Sequence, residues 1–174
     1  MSRARGPGRL VLRPPGPQDE AVCRAAHAEL AADHFDFLLH HELTWAEQLA
    51  LFAREAAGVD LPRGRVPSDF LLAEVDGVVV GRSSVRHRLT PALLAVGGHV
   101  GYAVRPAFRR RGHATAILRE SLHRCHELGI PRVLVTCDDG NLASARTIEA
   151  CGGVLEDVLD LGPGVPRKRR YWIG

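Results

Sequence analysis

Apolar residues return at helical spacing in two stretches near the start of the chain. Val22, Ala25, Ala26 and Leu30 do so between Asp19 and about Ala32, and Leu49, Phe52 and Ala56 do so between Trp45 and Ala57. Spacings of three and four put such residues on one face of a helix, so two helices are predicted, the second with Thr44 as its N-cap. An aromatic, histidine-bearing loop over 34–43 joins them. Ahead of them, Leu10 to Leu12 stops at Pro14 and Pro15 and reads as a first strand. After a connection over 58–68 that carries Gly, Pro and Asp, the pattern changes. Phe70 to Val75 and Val78 to Val85 are β-rich runs on either side of Asp76-Gly77, a strong hairpin signal because both turn positions accept a left-handed backbone. Val96 to Val104 is a third run, interrupted at Gly97, Gly98 and Gly101, where missing side chains predict a bulge or a close approach of backbones.

Farther on, Ala114, Ile117, Leu118, Leu122, Cys125 and Leu128 mark one face of a helix that stops at Gly129 and Pro131. Arg132 to Cys137 reads as a strand and Leu142 to Cys151 as a short helix ended by Gly152 and Gly153. Val154 to Leu161 and Arg170 to Ile173 are closing strands. The predicted order is one strand, two helices, three strands, a helix, a strand, a helix and two strands. That order implies an α/β protein of the α+β type with a mixed sheet. A chain of 174 residues suits one domain over 1–174, with residues 1–8 a frayed tail rich in Arg, Gly and Pro.

Composition narrows the function classes. Hydrophobic residues are 45% and charged residues 25%, which excludes a disordered or fibrous chain. The net charge of +3 is modest, but positive charge gathers at Arg105, Arg109, Arg110 and Arg111 and again at Arg167, Lys168, Arg169 and Arg170. Cys23, Cys125, Cys137 and Cys151 are scattered without zinc-site spacing, and His41-Glu42 lacks the second histidine of HExxH, so no metal is expected. No apolar run is long enough to span a bilayer and no secretory h-region is present, which predicts a reduced, cytoplasmic protein without a membrane partner. Nucleic-acid binding has no supporting motif, and aromatic content is only 5%.

The chemistry-bearing segment lies between the strand ending at Val104 and the helix beginning near Gly112. A helix N-terminus leaves its first amides unpaired and partly positive, Gly112 lets an anion come close, and Arg109, Arg110 and Arg111 add charge. Such a place suits a polyphosphate. Arg109-x-x-Gly112-x-Ala114 resembles the acyl-CoA loop of the GNAT acetyltransferase superfamily, Gln/Arg-x-x-Gly-x-Gly/Ala, in its position between strand and helix. Gly97 to Pro106, then Val133 to Asp138, Asn141, Ser144, Ile148, Gly152 and Gly153, resemble the rest of that core in order and spacing. The resemblance runs from about Phe70 to Ile173. It implies a mostly antiparallel sheet of about seven strands flanked by about four helices. It also implies an enzyme that moves an acetyl group from acetyl-CoA, the co-substrate, to a primary amine in a ternary complex.

By that resemblance, backbone groups of Tyr102, Ala103 and Val104 pair with the pantetheine arm. Amides of Arg109, Arg110, Arg111, Gly112, His113, Ala114 and Thr115 hold the pyrophosphate, and Asn141 and Ser144 approach from the other side. Many members carry a tyrosine seven residues after the asparagine as the acid for the leaving thiolate; here Ile148 stands there and cannot donate a proton. Ser144 is the candidate acid by pattern, with Tyr102 and Cys137 as alternatives. Freeing an amine of pKa near 10.4 at pH 7 costs roughly 4.6 kcal/mol, so a base or desolvation is required. His99 stands where many relatives place a glutamate and is the candidate base, with His87 second. His40, His41, Glu42 and His87 are candidate acceptor-binding residues, and Glu47 and Asp69 are further acids for a cationic acceptor. The acceptor is a small-molecule or peptide amine, and a homodimer is a candidate assembly. The alternative reading is an acyl-CoA-binding or sensor protein of weak or no activity.

Overall fold

The computed structural model describes residues 8–174; the predicted tail over 1–8 lies almost wholly outside them. The strands are β1 (Leu10–Arg13), β2 (Ser68–Val75), β3 (Val78–Arg86), β4 (Val100–Val104), β5 (Val133–Asp138), β6 (Val154–Leu159) and β7 (Lys168–Ile173). The helices are α1 (Glu20–Ala31), α2 (Trp45–Ala57), α3 (Pro91–Ala95), α4 (His113–Glu127) and α5 (Leu142–Ala150). The strands form one sheet in the order β1-β2-β3-β4-β5-β7-β6. Every pairing is antiparallel except β4 with β5.

Local chemistry explains the element ends. Thr44 caps α2 through a capping box with Glu47, and Gly58 closes the helix in the left-handed region at φ 68°. Asp76 and Gly77, at φ 49° and 79°, make the two-residue turn between β2 and β3. Helix α3 lies outside the predicted elements, although its signal is present: Thr90 accepts from the Leu93 amide and Pro91 occupies the first turn. It shortens the predicted third run, because Gly97 (φ 107°) and Gly98 (φ 62°) bend the chain before β4 begins. A Cβ on Gly98 would lie 2.4 Å from the Leu134 carbonyl oxygen, so the backbones approach as the glycines suggested.

Apolar clusters cover both faces of the sheet. On one face Cys23, Ala26 and Leu30 of α1 and Trp45 and Phe52 of α2 pack on Phe70 and Leu72. On the other, Leu118, Leu122 and Cys125 of α4 and Ala145 and Ile148 of α5 cover Val85, Val100, Val133 and Val135. Strands covered on both sides read as continuous apolar runs rather than alternating ones. The buried polar pair Ser83 and Ser121 is satisfied, with hydroxyls 2.7 Å apart and Ser121 donating to the Ile117 carbonyl at 2.8 Å.

Candidate acyl-carrier cleft

Strands β4 and β5 meet at one registered pair, Val100 with Val135, and then part. β5 turns its other side to β7 over its whole length, while β4 stays paired with β3 through Val104. The flank of β4 beyond Val100 that faces β5 therefore carries no strand partner, and its backbone groups need one.

A cleft of about 680 Å³ opens at this parting. Tyr102, Ala103 and Val104 form its floor, and Arg109, Arg110, Gly112, His113, Ala114 and Thr115 close one end. Asn141, the N-cap of α5, and Ala143, Ser144 and Thr147 of that helix stand opposite, while Leu30, Asp33, Phe35 and Phe108 complete the wall. Arg111 turns instead toward Phe108, its guanidinium 5.9 Å from the ring centre. The predicted loop residues thus converge, apart from that one side chain.

The closed end is shaped for an anion. Gly112 sits in the left-handed region at φ 81°, ψ 0°, Arg110 does so at φ 60°, and a Cβ on Gly112 would meet nothing within 4 Å. The first intrahelical bond of α4 runs from the Ala116 amide to the Gly112 carbonyl at 3.1 Å, which leaves the amides of the first turn without helical acceptors. No acidic residue occupies that turn. Arg109 is oriented by donating to the Val104 carbonyl at 3.2 Å and by an ion pair with Asp33. The second basic cluster differs: Arg169 pairs with Asp139 at 2.7 Å, Arg170 with Asp157 at 2.6 Å, and Lys168 with Asp138. That charge is neutralised within the β5–β7 region.

In the middle of the cleft the Tyr102 hydroxyl lies 3.0 Å from Ser144 Oγ. Burial pushes the phenol above its usual range, against the opposing hydrogen bonds of Ser144 and Thr147, so Tyr102 is a protonated donor at neutral pH. Cys137, buried beneath, also has its thiol raised by desolvation, opposed by a hydrogen bond with Ser144. The Ser144 amide donates to Asn141 Oδ1 at 3.1 Å, the N-cap bond of α5, so Asn141 sets the start of the helix that carries Ser144. Ile148 is fully buried in the core and does not face the cleft.

His99, the expected base, is tied to the neighbouring strand by two hydrogen bonds. Its Nδ1 accepts the Leu134 amide at 2.9 Å, and its own amide donates to the Leu134 carbonyl at 2.8 Å. This pins the chain just before β4 to β5. The neutral ring then carries its proton on Nε2 and has its one lone pair engaged. Burial, aided by Arg86, holds the imidazole below its ordinary pKa. His87 is likewise engaged, with Nε2 3.0 Å from Asp69, which also accepts from Arg124 at 2.7 Å. His40 lies 3.6 Å from Glu42, and His41 stacks on His27 with ring centres 4.7 Å apart. None of His40, His41, Glu42 or His87 lines the cleft. Of the loop over 34–43, Phe35 reaches the cleft, next to Asp33; neither stood among the predicted site residues. Thr147 was also missed, although its spacing of three from Ser144 puts it on the same helical face.

Residues 9–154 match the model of the acetyltransferase (GNAT) domain. This chain belongs to that family of acetyltransferases. Among solved structures, RimJ of Mycobacterium smegmatis, in complex with a CoA disulfide, is 22% identical over 97% of this chain and 85% of its own, with a TM-score of 0.71. RimL, a ribosomal L7/L12 alpha-N-protein acetyltransferase in complex with coenzyme A, is 16% identical over 95% and 93%, with a TM-score of 0.69. The yncA acetyltransferase of Salmonella typhimurium, with acetyl-CoA, is 17% identical over 95% and 93%, with a TM-score of 0.61. No curated protein sequence matches the chain. Among the described residues no helix is long and apolar enough to cross a membrane.

Proposed function

We propose that the protein is an N-acetyltransferase that takes the acetyl group of acetyl-CoA to a primary amine by direct attack within a ternary complex. The observation that carries this reading is the parting of β4 and β5 after one registered pair, beside a helix N-terminus with unpaired amides and no acid in its first turn. The residues present fit acetyl-CoA. The unpartnered flank from Tyr102 to Val104 suits an amide-bearing pantetheine arm, which takes the place of a strand. Asn141 and Ser144 border the same space, and the amides and side chains from Arg109 to Thr115 suit the pyrophosphate. The CoA and acetyl-CoA named with RimJ, RimL and yncA support the ligand, and the activity named for RimL supports an amine acceptor.

Acetyl-CoA supplies a reactive thioester; the chain supplies placement and one proton. Tyr102, kept protonated by burial and held by Ser144, donates toward the departing sulfur, the role Ile148 leaves open. With the lone pair of His99 engaged, the amine loses its proton through water and desolvation in the cleft. We place this metal-independent activity in the cytoplasm, within one domain that spans the chain. Calorimetry with CoA, followed by thiol release across an amine library, tests the proposal. CoA binding without thiol release from any amine would favour the acyl-CoA-binding role, and no CoA binding would remove both.

A further inference from the structure

The face of the sheet beneath α1 and α2 holds two arginines that make no ion pair among the described residues. Arg82, Ser84 and Arg86 alternate along β3 and so point to this one face. Arg82 is only 4% exposed. Its guanidinium lies 4.8, 5.7 and 5.2 Å from the ring centres of Phe35, Phe37 and Phe70. It donates to Ser84 Oγ at 2.5 Å and to the Asp36 carbonyl at 2.9 Å, while its buried Nε has no hydrogen-bond partner. Arg86 donates through Nη1 to the Gly97 and Gly98 carbonyls, both at 3.1 Å. Among the described residues no carboxylate stands within 4.0 Å of either guanidinium. Asp36, in the same loop, turns its carboxylate to the Leu39 amide at 2.9 Å and toward His27.

A buried cation without an anion is costly, and aromatic faces with two hydrogen bonds offset only part of that cost. Burial lowers the Arg82 pKa to about 9, so it remains charged at neutral pH. Neither arginine lines the cleft itself, but Arg82 adjoins residues of its wall and floor. Phe35, which lies against Arg82, and Ala103, its β4 partner in the sheet, both line the cleft. Ser84 is registered with Gly101, and the Arg86 guanidinium lies 3.9 Å from where a Gly101 Cβ would stand. An acidic group near Arg82 and Arg86 therefore has its amine next to β4 at Gly101 and Tyr102. Of the acids expected for a cationic acceptor, Glu47 caps α2, Asp69 pairs with Arg124 and His87, and Glu42 lies 3.6 Å from His40; Asp33, which lines the cleft, pairs with Arg109.

We propose that the acceptor is a primary amine that also carries a carboxylate, held by Arg82 and Arg86 on the α1/α2 face of β3. This rests on the acetyltransferase reading above and narrows its substrate class. Two sources share the chemistry, a free amino acid and a peptide with an acidic residue next to its N-terminus.

The test pairs each acceptor with a neutral twin: α-amino acids against their α-carboxamides, and tetrapeptides with Asp or Glu second against those with Asn or Gln. Thiol release is followed with the full-length enzyme. The expected result is a kcat/KM at least about tenfold higher for the carboxylate member in one arm, which identifies the source. Arg82→Gln and the less buried Arg86→Gln are each expected to reduce that preference toward unity, mainly through KM, with CoA affinity by calorimetry retained. Arg86→Gln keeps the test decisive if Arg82→Gln fails to fold. Equal turnover of twins in both arms, or a preference that survives Arg86→Gln in a folded protein, overturns the arginine assignment while leaving the acetyltransferase reading intact. Loss of CoA binding by the parent protein overturns both.

Discussion

Replacing Gly112 by alanine separates backbone strain from ligand contact. Gly112 adopts φ 81°, ψ 0°, where an L-residue with a Cβ costs about 1–2 kcal/mol. A Cβ there meets nothing within 4 Å, so no clash inside the protein adds to that figure. For a chain of this size each kcal/mol shifts the melting temperature by about 2–4 °C, which predicts a fall of about 2–8 °C. Gly129, just past the far end of α4, has φ 76° and an equally open surround, so Gly129→Ala serves as the matched control with a similar fall. The two variants diverge on ligand. If the Gly112 backbone lies against the pyrophosphate, its Cβ displaces a charge-assisted hydrogen bond worth about 1.5–3 kcal/mol, a loss of roughly 10- to 100-fold in CoA affinity. Gly112→Glu adds repulsion and is expected to abolish binding. Calorimetry with CoA and thermal melts measure both quantities. A folded Gly112→Ala protein that binds CoA within twofold of the parent, or a Gly129→Ala protein that loses as much affinity, would refute the placement of the phosphate loop.

His99→Ala removes the acceptor of the buried Leu134 amide and is expected to cost about 1–3 kcal/mol in melts, with the rising limb of the kcat/KM pH profile unmoved. Loss of that limb in a protein of parental stability would restore the base role. Tyr102→Phe is expected to lower kcat by about 10² or more with CoA affinity retained, since the hydroxyl bonded to Ser144 is the proposed proton donor; unchanged single-turnover rates would contradict this. Asp19, 4% exposed, has its carboxyl held below the usual range by Arg13 and by the Gly16 amide. Its contribution is therefore complete above the ordinary carboxylate pKa and lost as pH falls through the depressed one. Asp19→Asn is expected to lower the melting temperature at pH 7 and to narrow its gap from the parent as pH falls below about 4; a constant gap down to pH 2 would count against the linkage.

What the sequence alone determined is local or periodic. The amphipathic stripes of α1, α2 and α4, the capping box at Thr44, the Asp76-Gly77 turn and the glycine after the arginine run each depend on residues within a few positions. Their physics needs no distant partner, and so the element order and the loop at Gly112 were legible in advance. Helix α3 carried a readable Thr-Pro start, but five residues give too little periodicity to set it apart from the run that follows.

Tertiary structure decided what each polar side chain faces. His99 was the candidate base because it stands where many relatives place a glutamate; the bend at Gly97 and Gly98 brings Leu134 against its ring and engages its lone pair. Ile148 points to the core because α5 packs its buried face on β5, which leaves the Tyr102 hydroxyl, from another strand, beside Ser144. Asp33 and Phe35 reached the cleft while His40, His41 and Glu42 did not, a matter of how the loop after α1 folds back on the sheet. Arg82 reads in sequence as an ordinary charged strand position; only the packing of three phenylalanines around it and the absence of a nearby carboxylate among the described residues show it to be a buried charge without an ion pair. Sequence pattern reports which face of an element is apolar, whereas a polar group's role depends on partners tens of residues away, whose positions are set when the elements pack.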